Sequence, residues 1–271
     1  IKIFLKNKYT HVYILDKVNK PAIAAKLIRV KNIIGPGIGN QKKWLTVKNF
    51  LTAQDANLNY SEQSQKILRI NSIPINNIYP EININLERFR IGNPDLEIKG
   101  RKIAFGIDSF EDYKMWYEED FVKLADKLYE KKLFDYIYLL CGKEKSYLAD
   151  NIIKLSNKNF FINFSNKDLN GIIFALKNSS FLVGNNSGPI NLGAALGIKS
   201  FGLIANDPVE ELQYSKIKII TPDNYSNIRC RERVGMKKLT VDKVFNKIME
   251  DLNQWKHQIS YCHLQTIKIS I

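Results

Sequence analysis

Residues 181–197 read Phe-Leu-Val-Gly-Asn-Asn-Ser-Gly-Pro-Ile-Asn-Leu-Gly-Ala-Ala-Leu-Gly. A short apolar run ends at small and polar residues, and a helix-compatible segment follows. Asn186 or Ser187 can cap that helix, and Pro189 suits its first turn. Residues 200–204 then read as another buried strand. The order strand, tight turn, helix, strand predicts a unit of a parallel α/β domain.

The turn at Ser187 and Gly188 offers a place for an anion. Gly188 allows a ligand to approach the backbone closely, and the first amides of the helix lie at the positive end of its dipole. A phosphate group suits such a position. An ordinary capped helix gives the same pattern, so the turn alone leaves both interpretations open.

Beyond residue 100 the sequence alternates regularly between apolar runs and helical patterns. Strands are predicted near residues 102–107, 135–141, 159–164, 180–184, 199–204 and 217–221. Helices are predicted near residues 118–132, 144–157, 168–178, 187–197 and 241–255. This alternation indicates right-handed βαβ units and a parallel sheet, in which ligands bind beyond the carboxyl ends of the strands.

The first hundred residues are less regular, and we expect two domains. Residues 11–16 and Asn32 to Ile34 read as strands, and Pro21 to Arg29 and 61–70 as helices. The best linker candidate is 91–100, which contains glycine and proline. The predicted domains and tail are 1–95, 100–256 and 257–271, the last without an assigned role.

The composition limits the classes of partner. The 271 residues carry a formal charge of +14, and residues 1–100 hold 16 Lys and Arg against 7 Asp and Glu. Such charge suits an anionic membrane surface or an acidic glycolipid, or it is simply a solvated lysine-rich surface. No dense basic run with interleaved aromatics is present, so nucleic acid is not expected as a partner.

Cysteine usage and hydropathy favour a cytoplasmic protein. The three cysteines are widely spaced, which argues against a disulfide framework or a zinc site, and the three histidines form no ligand cluster. Cys141 ends an apolar strand and is interpreted as a core residue. No apolar run is long enough to cross a bilayer, and no signal peptide is visible, although the chain begins with Ile1.

The segment around Ser187 and Gly188 resembles the signature of glycosyltransferase family 9, the lipopolysaccharide heptosyltransferase family. Two positions differ, because Asn186 replaces the usual Asp and Asn191 the usual His. The resemblance extends over roughly residues 100–255. It is carried further by 102–109, Lys114-Met115-Trp116, 136–142 with Glu144, Asp168-Leu169-Asn170, Arg229-Cys230 and 236–240.

The resemblance implies a GT-B fold, with two Rossmann-like domains that contain parallel sheets. It also implies inverting, metal-independent transfer of a heptose-like sugar, without a cofactor. The donor would be a nucleoside-diphosphate sugar such as ADP-heptose, and the acceptor a lipopolysaccharide core or a similar surface glycan. The expected location is the cytoplasm, with peripheral contact at the inner face of the plasma membrane.

Site residues follow from the same resemblance. The donor diphosphate is expected at Lys114, Ser187, Gly188 and Ser109. The sugar and nucleoside are expected at Glu144, Lys167, Asp168, Asn186 and Asn191. Several of these residues can also have a purely structural role. Asp168 can cap a helix, Ser109 can cap a turn, and Glu144 suits a helix N-terminus.

The catalytic base is not assigned. In the family it is an Asp after a Gly-Asp-type motif near the start, and no such motif is found here, so we expect the N-terminal domain to be incomplete and the base to be missing. Three alternatives remain open: another GT-B nucleotide-sugar enzyme such as a 2-epimerase, a degenerate non-catalytic nucleotide-binding protein, and a basic nucleic-acid-binding protein.

Overall fold

The computed structural model describes residues 9–58, 60–76, 79–84, 98–212 and 216–253. The chain divides into two compact units, Ile1–Ile78 and Tyr79–Ile271. Most of the predicted linker 91–100 and the whole tail 257–271 lie outside the described residues.

The first unit contains a small parallel βαβ motif. Its strands are β1, His11–Tyr13, and β2, Asn32–Ile34, which pair in parallel, and helix α1, Lys20–Leu27, connects them. Pro21 lies in the first turn of α1, where its missing N–H has no helical partner. Strand β1, His11–Tyr13, is shorter than the strand predicted over 11–16.

A loop and a second helix complete this unit. Gly37 has a φ of +68°, and a side chain there would lie 2.5 Å from the ring of Phe50, so only glycine fits. Helix α2, Tyr60–Ile70, follows a short turn that contains Asp55. Hydrogen bonds from Lys66 and Thr52 lower the pKa of Asp55 to about 2.

The second unit is a six-stranded parallel sheet with the order β5-β4-β3-β6-β7-β8. Its strands are β3 Lys102–Gly106, β4 Tyr136–Leu140, β5 Phe161–Asn163, β6 Leu182–Asn185, β7 Ser200–Leu203 and β8 Ile217–Ile220. Its helices are α3 Glu118–Glu130, α4 Ser146–Ser156, α5 Leu169–Lys177, α6 Gly188–Ala195, α7 Val234–Lys237 and α8, residues 241–253. Every predicted strand and helix of this unit is present, with shifted ends.

Helices cover both faces of this sheet. Ile103 and Phe105 of β3 point to one face, where they pack in a cluster with residues of α3, α4 and α8. Ala104 points to the other face, in a cluster with residues of α5 and α6. Because successive side chains of a strand alternate between faces, burial on both sides explains why these strands read as continuous apolar runs.

The sheet contains a topological switch point between β3 and β6. The chain runs outward from β3 to β5, returns to β6 on the other side of β3, and continues outward to β8. The two strands approach closely at their ends, because Gly106 and Gly184 are partners and a side chain on Gly184 would lie 3.1 Å from Gly106 Cα. In open α/β sheets the ligand crevice lies at this point, beyond the carboxyl ends of the strands.

Candidate functional site

A cleft of about 1130 Å³ opens at the carboxyl ends of β3, β4 and β6. Six of the nine predicted site residues lie in its wall: Ser109, Glu144, Lys167, Asp168, Ser187 and Gly188. Lys114, Asn186 and Asn191 are not part of the described wall, although each lies on a neighbouring segment. The cleft therefore coincides with the switch point of the sheet.

The floor of the cleft includes the N-terminus of α6. Ser187 occupies the N-cap position with extended backbone, as predicted, but its side chain makes no capping bond. Its buried hydroxyl has no hydrogen-bond partner in the described structure, and neither has the buried Oδ1 of Asn191. Gly188 is exposed, and no atom lies within 4 Å of where its Cβ would be. The first amides of α6 have no helical partner, so this turn can donate hydrogen bonds to an anion.

Lys114 lies beside this turn, in a buried ionic network. Its side chain is only 11% exposed, and its ammonium lies 2.8 Å from Glu111 Oε2 and 3.1 Å from Asp207 Oδ2. The hydrogen bond from Lys114 lowers the pKa of Glu111. Asp207 is 2% exposed and also contacts Arg229, 3.1 Å away, while the Asn186 amide lies 3.5 Å from its carboxylate. Asp207 thus connects Lys114 to the residue that precedes Ser187.

Buried polar groups fix the segment that carries Lys114. Asn185, fully buried at the end of β6, accepts a 2.9 Å hydrogen bond from Trp116 N and donates one of 2.9 Å to the Ile107 carbonyl. The Trp116 indole donates to the Leu239 carbonyl, and the ring packs edge-on against Phe121. The buried Trp116 thus anchors the segment that carries Lys114. The role of Asn185 was not predicted, because nothing in a single sequence distinguishes it from the adjacent Asn186.

The loop after β3 is tied to two neighbouring loops. Ser109 Oγ donates to the Asn186 carbonyl at 3.2 Å, so its hydroxyl bridges to the α6 turn. Lys145 donates to the Ser109 carbonyl at 2.7 Å and to Asp112 at 2.6 Å. The Asp108 carboxylate accepts from Gly142 N at 2.6 Å. Lys145 also lines the cleft and was missed, since its sequence context is that of a surface lysine.

The remaining predicted residues lie on the loops after β4 and β5, except Asn191, which lies on α6. Glu144 is exposed, in a short 3₁₀ turn over Lys143–Lys145. Asp168 accepts a 2.9 Å hydrogen bond from Gly171 N, which confirms the interpretation of Asp168 as the cap of helix α5. The Lys167 ammonium lies 5.9 Å from the centre of the Phe164 ring. Asn191 donates to the Ser187 carbonyl at 3.1 Å.

Two further observations describe the chemistry of the cleft. Burial raises the pKa of the Cys141 thiol to about 12, so this cleft residue stays protonated and behaves as a small core side chain. Among the described residues, no group of three or more His, Cys, Asp and Glu is placed to hold a metal ion. The described helices include none long and apolar enough to cross a membrane.

A doubly wound sheet whose switch point opens on a helix N-terminus defines a nucleotide-binding domain of the Rossmann type. The sequence matches the model of glycosyltransferase family 9 (heptosyltransferase) over residues 5–239. The chain belongs to this family and is a glycosyltransferase. None of the curated protein sequences matches it.

Solved structures of other glycosyltransferases share the fold. E. coli ADP-heptose LPS heptosyltransferase II is 14% identical, with a TM-score of 0.73 over 93% of this chain and 78% of its own. E. coli heptosyltransferase WaaC, with ADP-2-deoxy-2-fluoro heptose, is 16% identical, with a TM-score of 0.66 over 91% and 73%. A family 9 glycosyltransferase from Veillonella parvula is 16% identical, with a TM-score of 0.69 over 90% and 74%. The GT-B architecture expected from the sequence is thereby confirmed.

Proposed function

We propose that the chain transfers a heptose-like sugar from an ADP-activated donor to a lipopolysaccharide core or a similar surface glycan. The observation that carries this proposal is the cleft at the switch point, with the N-terminus of α6 in its floor and six predicted donor residues in its wall. The E. coli enzyme WaaC, of the same family and fold, has been solved with ADP and with an ADP-heptose analogue.

The proposed donor pose places the diphosphate over Ser187 and Gly188. The helix dipole and the amides stabilise the departing diphosphate, which is where negative charge develops during transfer. The Ser109 hydroxyl lies beside the α6 turn and donates to the Asn186 carbonyl. To donate to the diphosphate, it would have to give up this hydrogen bond. Asn186 and Asn191 flank this turn and would hydrogen-bond the sugar, and neither amide can change charge near neutral pH.

Glu144, Lys167 and Asp168 would hold the sugar and the nucleoside. They line the wall formed by the loops after β4 and β5, across from the α6 turn. Glu144 is exposed and can accept hydrogen bonds from hydroxyl groups. The Asp168 carboxylate already accepts a hydrogen bond from Gly171 N. We therefore propose that the backbone groups of Lys167 and Asp168 contact the nucleobase of the donor.

Lys114 needs a rearrangement to reach a diphosphate. Its ammonium is held by Glu111 and Asp207, outside the described wall of the cleft. Asp207 is buried and fixed, whereas Glu111 is 40% exposed in its side chain. We therefore infer that the diphosphate replaces Glu111 as a partner of Lys114, while Asp207 remains in place.

Titration calorimetry with nucleoside diphosphates tests the donor site. ADP should bind more tightly than UDP or GDP, and Lys114→Ala should weaken ADP binding by ~1.5–3 kcal/mol, as for a charge-assisted contact. Lys154→Ala, which removes an exposed lysine of α4, is the matched control. Unchanged ADP affinity in a folded Lys114→Ala variant would remove Lys114 from the site.

Transfer itself is tested with ADP-heptose and a heptose-deficient lipopolysaccharide core. We expect release of ADP together with a heptosylated acceptor, inversion at the anomeric carbon by NMR, and the same rate in the presence of EDTA. Loss of transfer on chelation would contradict the metal-independent mechanism. Retention of configuration would contradict the inverting one.

A non-catalytic nucleotide-binding protein is the second candidate. Asn186 and Asn191 favour it, since both lack the ionisable groups that the family usually has at these positions. In that case ADP binds as predicted, yet neither transfer nor hydrolysis of ADP-heptose is detected. The calorimetric and transfer experiments together separate the two candidates.

A further inference from the structure

A second cleft of about 850 Å³ lies at the opposite edge of the large sheet. Its wall is formed by residues that precede β3, β4, β6, β7 and β8, by Lys218 within β8 and by the end of α8. The donor cleft follows the carboxyl ends of the same sheet. A five-residue strand such as β4 is about 16 Å long, so the two clefts are separated by roughly this length of sheet.

This amino-edge cleft is strongly basic. Six cationic side chains line it, and Asp251 is the one carboxylate among the described lining residues. The cations are Arg101, Lys131, Lys132, Lys199, Lys216 and Lys218. Residues 98–253 as a whole contain 24 Lys and Arg against 20 Asp and Glu. The small excess of positive charge in this unit is therefore concentrated in one cleft. A uniformly lysine-rich surface would spread that charge over the whole unit.

The cations of the amino-edge cleft are only partly compensated. Lys199 and Lys218 share Asp251, with the Lys218 ammonium 3.3 Å from its Oδ1. Arg101 pairs with Asp135 at 3.2 Å. Within the described part of the chain, no carboxylate lies within ion-pair distance of Lys131, Lys132 or Lys216.

The lining of the same cleft is also partly apolar. Its apolar residues are Leu133, Phe181, Ile198, Met249 and Leu252. Low-dielectric walls behind a set of like charges focus their field into the cavity, which strengthens attraction for a counter-ion. The Lys216 ammonium also lies close to the backbone, 3.6 Å from where a Cβ of Gly197 would be. The cleft therefore combines an apolar lining with six cationic side chains.

We propose that the amino-edge cleft binds a small soluble molecule that carries several phosphate groups. Five of the six cations are lysines, which act as point charges and suit clustered phosphates better than a single planar carboxylate. The concave shape fits a small molecule rather than the flat surface of a bilayer. This site is separate from the donor cleft, and the proposal does not depend on the proposed transfer reaction.

Calorimetry of the full chain with inositol hexakisphosphate, in the presence of saturating ADP, tests this site. ADP keeps the donor cleft occupied, so the probe reports on the remaining surface. The test variant is Lys132→Glu with Lys216→Glu, and the control is Lys154→Glu with Lys237→Glu, two exposed lysines elsewhere in the unit. Both variants change the net charge equally. The cleft variant should lose about tenfold or more in affinity, and the control about twofold or less.

The proposal is wrong if the unmodified chain does not bind the probe, or if both variants weaken probe binding equally. It is also wrong if the cleft variant still binds the probe but no longer binds phosphatidylglycerol vesicles. The last result would make the cleft a membrane contact. ADP affinity, measured in parallel, should be the same in both variants and shows that they are folded. If ADP does not bind at all, the proposed donor site fails while the polyphosphate result stands.

Discussion

At the scale of single residues, the ionic network around Asp207 determines where the Lys114 ammonium is held. A carboxylate that is 2% exposed is costly unless it is paired, and Lys114 and Arg229 both contact it. Lys114 is therefore positioned by a buried partner, and in the proposed donor complex Glu111 is the partner that the diphosphate replaces. Asn186 fits beside Asp207 because an amide can donate to a carboxylate.

The first prediction is that Glu111→Gln increases affinity for ADP. The change removes a negative charge that competes with the diphosphate for Lys114, and an ion pair whose carboxylate is partly exposed to solvent is worth about 1 kcal/mol. The expected gain is thus up to about fivefold by calorimetry at low salt. Glu119→Gln, at an exposed position of α3, changes the net charge equally and should have no effect. An unchanged or lower affinity in Glu111→Gln would contradict the exchange of partners.

A second prediction concerns Asn185. Asn185→Ala leaves both the Trp116 N–H and the Ile107 carbonyl without their partner in a buried place, at a cost of ~1–3 kcal/mol for each group. Urea unfolding should show a loss of about 2–6 kcal/mol. Asn178→Ala removes one local hydrogen bond at the exposed end of α5 and serves as the control. Equal stability of the two variants would show that Asn185 does not hold this segment.

At the scale of elements, the close approach of β3 and β6 shapes the entrance to the donor cleft. Gly106 and Gly184 face each other in register, and β6 leads directly into the α6 turn. Side chains at these positions would push the two strands apart where the ligand is expected. The two glycines thus have a packing role, whereas Gly188 has open space around it.

The contrast between two glycines gives the third prediction. Gly184→Ala places a Cβ 3.1 Å from backbone atoms of Gly106 and should destabilise the chain by ~1–3 kcal/mol. Gly188→Ala has no atom within 4 Å of the new Cβ and should leave stability within about 0.5 kcal/mol. Thermal unfolding of both variants measures the difference. Similar melting temperatures would show that the strands separate without cost.

The elements of the large unit were predictable because their pattern is strong. Its central strands β3, β4, β6 and β7 are buried on both faces, and its helices α3 and α4 are amphipathic. The α6 turn was found for the same reason, since Ser187, Gly188 and Pro189 form a recognisable start of a helix. By contrast, Asn185 and Lys145 act through contacts between distant segments, with sequence separations of 69 and 36 residues to Trp116 and Ser109. Such contacts leave no local trace in a single sequence.

At the scale of the whole molecule, positive charge is unevenly distributed. Residues 1–78 contain 13 Lys and Arg against 3 Asp and Glu, whereas the excess in residues 98–253 is small. In the first unit, the Lys42 and Lys48 ammonium groups lie 5.6 and 5.9 Å from the centre of the Phe50 ring. Both lysines are exposed, and basic side chains at such positions are attracted to anionic headgroups.

The last prediction assigns peripheral membrane contact to this lysine pair. In sedimentation with phosphatidylglycerol vesicles, Lys42→Glu with Lys48→Glu should weaken binding by about tenfold or more, since each basic residue near an anionic surface contributes about 1 kcal/mol. Lys154→Glu with Lys237→Glu changes the net charge equally and should have much less effect, as should the variant of the amino-edge cleft. Attraction to the membrane would then depend on where the charge lies. If all three variants lose vesicle binding equally, only the total charge matters, and the first unit has no specific membrane-facing surface.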